Sequence, residues 1–514
     1  ATLGTNPDDS DALAITVTPV NAAPDGTISW IGNDGDWNNP ANWSTGSVPT
    51  VNDEVFIAAG NDAGSLTITI ANGDIAYTNN LPSAQDLNVV GTLNVTGDTI
   101  IDDGNQAIAN EVDIVINGGA AIFGDDAADS ITVNTDGNLV INSGTLSSKN
   151  LIVNSGGFLD INSGTLNLGA SSSSVAAGAQ LEWSGGTIAG TGKTLVVNGS
   201  ATLDSTSTKT LSAATLTFTD TTHWTGGEIV LENGATLENS GTLYIQTDAD
   251  ITAGNGGGRF DNYGLVEKLG STNITGIFVP LNNIDGGAIA ATLDVTTGTL
   301  KLAAGGHSQS GTSITVEQGA TVEFESDYTV DGALLSDGGT IRFAAGSTTV
   351  DAIDSNSPTG NTEISGGSVT DNNGGNLGNL NISGGTLTLG DEKADSFIIQ
   401  GFTQIDGTIN GFGVLTVSGN AVWQGGTQTG RGITNATNGV TFSGNTTRTL
   451  SGGRTLTLGA DSELPAGETL VVDDGVIDGA GTLTTDGTVV YNDETQTAIS
   501  QTTTTELFAI TSSA

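Results

Sequence analysis

The chain has 514 residues, 76 of them glycine, with no cysteine or methionine, and its 57 acidic against 11 basic side chains give a formal net charge of −46. That charge excludes nucleic acid and anionic lipid as partners, and the lack of cysteine excludes a disulfide scaffold, a thiolate zinc site and a cysteine nucleophile. No run of about 18 apolar residues occurs, so no membrane-spanning helix is expected.

Residues 1–27 read as an N-terminal strand and linker. Residue 1 is Ala and no basic-then-apolar signal segment follows, which reads as a mature or excised chain. "DALAITVTPV" (11–20) alternates Leu13, Ile15 and Val17 with small or polar residues and stands apart behind "NAAPDG". A lone strand of this kind is unstable in water and needs a sheet edge, so it is expected to pair with a neighbouring subunit, the alternative being that it folds back and caps its own solenoid.

Residues 28–60 hold three of the six tryptophans, Trp30, Trp37 and Trp43, among several carboxylates. A ligand site and an end-piece are the two readings. The first coil of a stacked protein exposes its apolar cross-section and must be covered, which favours a Trp-rich cap or first coil. "NDGD" (33–36) offers Asp34 and Asp36 as candidate calcium ligands, without the full loop spacing or the terminal bidentate Glu of a dedicated calcium loop.

Residues 61–490 repeat. "GNLVINSGTL" (137–146) is followed twenty residues later by "GFLDINSGTL" (157–166), and the next copy, "GAQLEWSGGTI" (178–188), slips by two. Looser copies occur at 234–243, 319–324, 380–389 and 479–489. A period near 20 marks a solenoid, and Thr, Val, Ile and Leu runs broken by Asn-Gly, Asp-Gly, Ser-Gly and Gly-Gly pairs make its coils of strands and turns. Four or five inward aliphatics per coil contribute roughly 8–12 kcal/mol, against roughly 20–40 kcal/mol of backbone entropy for about twenty residues. One coil alone therefore cannot fold, and stacking is required. The expected architecture is all-β, a right-handed parallel β-helix with about 20-residue coils, its core faced by Leu139, Ile141, Leu159, Ile161, Leu181 and Trp183. Tandem β-sandwiches are the alternative. A longer repeat overlays the short one: "WSGGTIAGTG" from Trp183 leads to "TKTLS" (208–212), and "WQGGTQTGRG" from Trp423 leads to "TRTLS" (447–451), with a partial copy at Trp224. These blocks suggest an internal duplication, with the tryptophans packed in the coil stack. Residues 491–514 end the chain in "ELFAITSSA" (506–514), a short strand or cap in which Leu507 and Ile510 are the apolar residues available for assembly.

The segments "GDWNNPANWSTGSVPTVNDEVFI" (35–57), the Trp-x-Gly-Gly blocks and "LENGATLENSGTLYIQTDADI" (231–251) resemble the β-helical repeat regions of large secreted bacterial surface proteins, including autotransporter passengers. "LAITVTPVNAAPDGT" (13–27) resembles the closing strand of a cadherin-like adhesin repeat. The resemblance implies an exported rod, displayed on or shed from the cell surface. No membrane barrel and no "LPxTG"-type anchor is read in this sequence, so simple membrane attachment is not the expectation.

Pectin-cleaving enzymes share this fold class. "VNTDGN" (133–138) matches one of their catalytic elements, centred on Asp136, but the Arg-Ile-Lys they require is missing, and "NTDG" is a good turn in its own right. The two histidines, His223 and His307, and the dispersed bases give no acid–base–cation constellation. The expected function is therefore a self-assembling structural subunit of an extracellular filament, sheath or tubular appendage, without enzymatic activity. Calcium is the one cofactor the sequence puts forward, and further copies of the chain are its expected partners. A cell-surface adhesin or glycan-binding passenger is the alternative, and a polysaccharide-degrading enzyme the third reading.

Overall fold

A computed structural model of the chain describes residues 130–492 apart from 170, 171, 287–289, 356 and 358. Ahead of these it describes scattered positions between 28 and 49 and short strands between Val55 and Phe123. Leu13, Ile15, Val17, Trp30, Asp34, Trp37, Leu507 and Ile510 lie outside the described residues.

The fold follows from alternation. In "FLDI" (Phe158–Ile161) successive side chains point to opposite faces, so Leu159 and Ile161 are buried while Phe158 and Asp160 face outward. Gly and Asn turns then redirect the chain by a corner, and the next strand repeats the pattern. Each coil has three strands and hence the stack has three walls. Phe158–Ile161 lies on wall A, Thr165–Leu168 on wall B and Ser173–Val175 on wall C, before Gln180–Trp183 returns to wall A. Every strand ladder among the described residues is parallel, as the repeat requires: Leu139 sits beside Leu159 twenty residues on, and Leu159 beside Leu181 twenty-two residues on. The two-residue slip in the sequence is thus a longer coil in register, not a break.

About 17 turns, of about 21 residues each, stack between Asn138 and Gly479. At ~4.8 Å per rung that makes a rod of roughly 80 Å. All six expected core residues are buried: Leu139, Ile141, Leu159, Ile161 and Trp183 are completely inaccessible and Leu181 nearly so. Trp224 and Trp423 are wholly buried as well, and Trp43 almost so. Trp43 follows a short turn, Pro40–Asn42, in which the Asn39 side chain caps the Ala41 amide at 3.1 Å.

The two long Trp blocks are not in phase. Trp183 stands on wall A and Trp423 on wall B, one corner apart, because coil lengths vary between them. What the blocks share is local. The second glycine pairs with the cation of the next coil, Gly186 with Lys209 and Gly426 with Arg448.

The core is not wholly apolar. Asn239, Asn262, Asn283 and Ser308 are buried on successive rungs of wall C. Asn239 Nδ2 donates to Asn262 Oδ1 at 2.8 Å, and Asn262 Nδ2 to Asn283 Oδ1 at 2.7 Å. The same amide groups bond the carbonyls of Leu265, Thr292 and Ser313 on wall A across the corner. Removing one amide strands its neighbours in a dry core. Asn262→Ala should lower stability by about 1–3 kcal/mol, read as a lower urea midpoint for the coils between 239 and 313.

Candidate functional site

Stacking turns every strand position into a column, so the surface can be read as rows of like-placed side chains. On wall A, Asp160 and Glu182 occupy adjacent rungs, as do Glu267 and Asp294. Burial raises the Asp160 carboxyl despite its bond from Asn162, with Asp204 adding to the rise, and burial, Asp160 and Asp204 together raise Glu182. Asp294 is pushed up to about 6 by burial and by the neighbouring Glu267 and Glu317. These carboxyls hold protons more tightly first because they are buried and then because nearby carboxylates have the same sign. No group of three or more His, Asp or Glu among the described residues is arranged to hold a metal ion.

Asp36 is engaged locally. Its Oδ1 accepts from the Asn38 amide at 2.9 Å and its carbonyl from Asn42 Nδ2 at 2.9 Å. Its backbone pairs in parallel with Thr69.

Wall B carries an alternating ion-pair ladder over four rungs: Lys301, Glu323, Arg342 and Glu363. Glu323 lies between two cations, 3.1 Å from Lys301 Nζ and 3.0 Å from the Arg342 guanidinium. Burial alone would raise its carboxyl, but those bonds hold it below the ordinary value. Arg342 also reaches Glu363 at 2.7 Å and Lys301 reaches Glu325 at 2.8 Å.

An open groove of about 540 Å³ lies at the corner between walls C and A, crossing three coils. Its lining brings together Thr312, Ser313, Asp331, Leu335, Asp351 and Asp354. His307 bonds Asp331 at 2.8 Å, and Asn373 bonds Asp351. The other histidine, His223, stacks on Tyr244 at 5.2 Å on wall A and bonds Gln246, so the two do not meet. Asp136 occupies an exposed turn with φ +58°. Eight rungs of wall C separate it from His307, roughly 38 Å at ~4.8 Å each. The residues that suggested a pectin-cleaving centre are therefore not brought together.

In the sequence the bases are simply dispersed along the chain. Four of them, Lys209, Lys268, Arg448 and Arg454, are wholly buried inside the coils. Lys209 Nζ donates to the carbonyls of Asp204, Ser207 and Gly226, and burial lowers it to about 8 although Asp204 opposes the shift. Lys268 bonds Ser271 at 2.7 Å and Thr275 at 3.0 Å, with the Asp248 carboxylate at 3.9 Å. Parity was the available signal: in "TKTLS" an inward Leu211 requires an inward Lys209 two residues earlier.

Compared with protein-family models, with curated proteins and with solved structures, the chain matches none.

Proposed function

We propose that the chain is a structural subunit of an extracellular filament, sheath or tubular cell-surface appendage, exported by a bacterium and assembled from copies of itself. The observation that carries this reading is the uninterrupted parallel ladder. A rod of about 17 turns is a spacer by shape. Its last described coil, with the strands Val476–Gly479, Leu483–Thr485 and Thr488–Tyr491, pairs on one side only among the described residues. Leu483 and Tyr491 there are only partly buried against the core. An edge of unpaired backbone beside apolar side chains is a template for strand addition. The segment 11–20, with Leu13, Ile15 and Val17 alternating, has the pattern of a donated strand, and Leu507 and Ile510 that of a second one.

Electron microscopy and sedimentation of the full chain and of a chain lacking residues 1–20 test the proposal. The full chain is expected to form regular polymers and the truncated chain to remain as single rods. Identical polymers from both would remove the N-terminal strand as connector, and single rods from both would remove the filament reading.

The corner groove at Asp331, Asp351 and Asp354 favours a second reading, a surface adhesin that holds a glycan or another cell-surface component. Glycan-array binding that is lost on Asp351→Ala, by a protein that stays monomeric, is the result expected of that reading.

A further inference from the structure

On wall C between residues 347 and 451, the outward positions form one column in register over six rungs and a second beside it in register over the first four, with Thr429 and Ser451 following in sequence. The pairs are Ser347 and Thr349, Ser368 and Thr370, Thr386 and Thr388, Thr408 and Asn410, Thr427 and Thr429, and Thr449 and Ser451. Register fixes the columns: Ser347, Ser368, Thr386, Thr408, Thr427 and Thr449 are successive partners, and Thr349, Thr370, Thr388 and Asn410 run beside them without a bulge. Eleven of the twelve side chains carry a hydroxyl and the other is an amide; none is charged, in a chain with 57 acids. The two ionisable residues of these strands, Asp371 and Arg448, point inward and are wholly buried.

Five of the six rows are entered through a left-handed glycine, and the last through the buried Arg448. Gly346, Gly367, Gly385, Gly407 and Gly426 have φ between +66° and +81° and stack on one another. A Cβ on Gly426 would meet the Gly407 carbonyl at 2.4 Å, so this corner can stay flush with the sheet only as glycine. The twelve side chains are exposed or half-buried, and none of their side-chain atoms bonds another protein group among the described residues. Corner hydroxyls nearby behave otherwise: Ser365 and Ser418 are bonded to the carbonyls of Phe343 and Ile399.

A surface like this presents hydroxyls and methyls at ~4.8 Å along the rod and at about 6.7 Å across it, twice the rise per strand residue. Both spacings approach repeats of hexagonal ice. The β-branched Thr side chains are stiff at χ1, so the lattice is held rather than averaged. Charges would impose a hydration shell of their own geometry, and here they are absent. Free hydroxyls anchor water while the methyls between them leave it to bond to itself.

We infer that this face of wall C is an ice-binding plane: it orders a layer of water in the spacing of ice and thereby adsorbs the rod to an ice crystal. Wall B supplies the contrast. Thr299, Thr321 and Thr340 also align there, but the neighbouring column is the ion-pair ladder of Lys301, Glu323 and Arg342. One threonine column beside charges offers no neutral two-dimensional lattice.

The test is ice-crystal growth in the presence of the full chain, followed by thermal hysteresis and by inhibition of recrystallisation. The full chain is expected to facet ice and slow its coarsening. Thr386→Lys and Thr388→Lys, each placing a charged stem in the middle of the array, should abolish both effects. Thr321→Lys on wall B should leave them intact, and all three variants should keep the circular dichroism spectrum of the parent. Unfaceted growth with the parent protein would overturn the inference, as would equal loss with Thr321→Lys. Two further results would also overturn it by assigning the plane to another occupant. One is array-dependent cosedimentation with crystalline polysaccharide without any effect on ice. The other is array-dependent self-association without any effect on ice.

Discussion

Arg448→Ala should cost about 3–5 kcal/mol of local stability, the loss expected when one partner of a buried ion pair is removed. The guanidinium is inaccessible to solvent, and Nη2 donates to Glu468 Oε2 at 2.6 Å. Nε donates to the Trp423 carbonyl at 2.5 Å and Nη1 to the Thr446 carbonyl at 3.2 Å, while the Ser443 carbonyl accepts a further bond. Its carbon lies 5.7 Å from the centre of the Phe442 ring, which packs against Trp423. Truncation opens a cavity between coils and leaves Glu468, itself 5% exposed, without its counter-charge. A solenoid need not unfold in one step, so the effect is best read locally, as faster hydrogen exchange across residues 421–472 than across 159–218. Arg448→Met with Glu468→Leu should recover most of the loss, since a well-packed apolar pair avoids desolvating two charges. Burial would raise Glu468, but the Asn445 amide and Arg448 hold it below the ordinary value. A depressed carboxyl contributes stability above its unfolded pKa that is lost as pH falls through its folded value. The Arg448→Ala penalty should therefore shrink in acid, and an unchanged penalty would assign the effect to packing alone.

This element also marks where the sequence was legible and where it was not. The alternation in "LVINSGTL" and its return twenty residues on identify Leu139, Ile141, Leu159 and Ile161 as one inward column, since only stacking can bury them. The same parity places Lys209 and Arg448 inside. A reading that assigns cations to the surface by type overrides it, because a buried charge is costly unless it is bonded. Backbone carbonyls freed at Gly-rich corners supply the missing partners: Gly226 for Lys209, and Trp423 and Ser443 for Arg448. Those corners are visible in the sequence as turns, but their nearness to the cation of an adjacent coil is not.

The hydroxyl plane of wall C was hidden for a different reason. Its successive rungs lie 21, 18, 22, 19 and 22 residues apart, from Ser347 to Thr449. A fixed twenty-residue frame loses the column after one step, although "SGGTLT" (383–388) and "SGGSVT" (365–370) are near copies. The extra or missing residues sit at the corners, where turns absorb them without disturbing the strands. Uneven coils likewise move Trp423 a wall away from Trp183. Self-similarity of sequence thus reports local corner geometry more faithfully than it reports position around the stack. Asp331, Asp351 and Asp354 converge on one groove for the same reason, and only the register brings them together.

Asp371→Asn should stabilise the coils around it at neutral and alkaline pH and leave them nearly unchanged in acid. Asp371 ends the strand Ser368–Asp371 at an inward position, stacked between Val350 and Leu389, and is inaccessible to solvent. Oδ2 accepts from the Ile353 amide at 3.3 Å, while Oδ1 meets no hydrogen-bond geometry with a partner among the described residues. Burial pushes the carboxyl from 3.8 up to about 7; the backbone amides of Ile353, Gly374 and Asn373 oppose the rise and Asp351 adds to it. Between those two values the folded state holds a proton that the unfolded state has released, so stability falls as pH rises through the window and is flat above it. Three units at about 1.36 kcal/mol each set the full cost on the order of 4 kcal/mol. Asparagine keeps the acceptor for Ile353 and cannot ionise. The measurement is the difference in urea midpoint or in hydrogen exchange across residues 347–390 between parent and variant, taken at the same pH from 4 to 9. The difference should be small at pH 4, grow through pH 7 and then level off. A difference that is constant with pH would mean that Asp371 is already ionised in the folded coil, with a water or a cation completing the coordination of Oδ1.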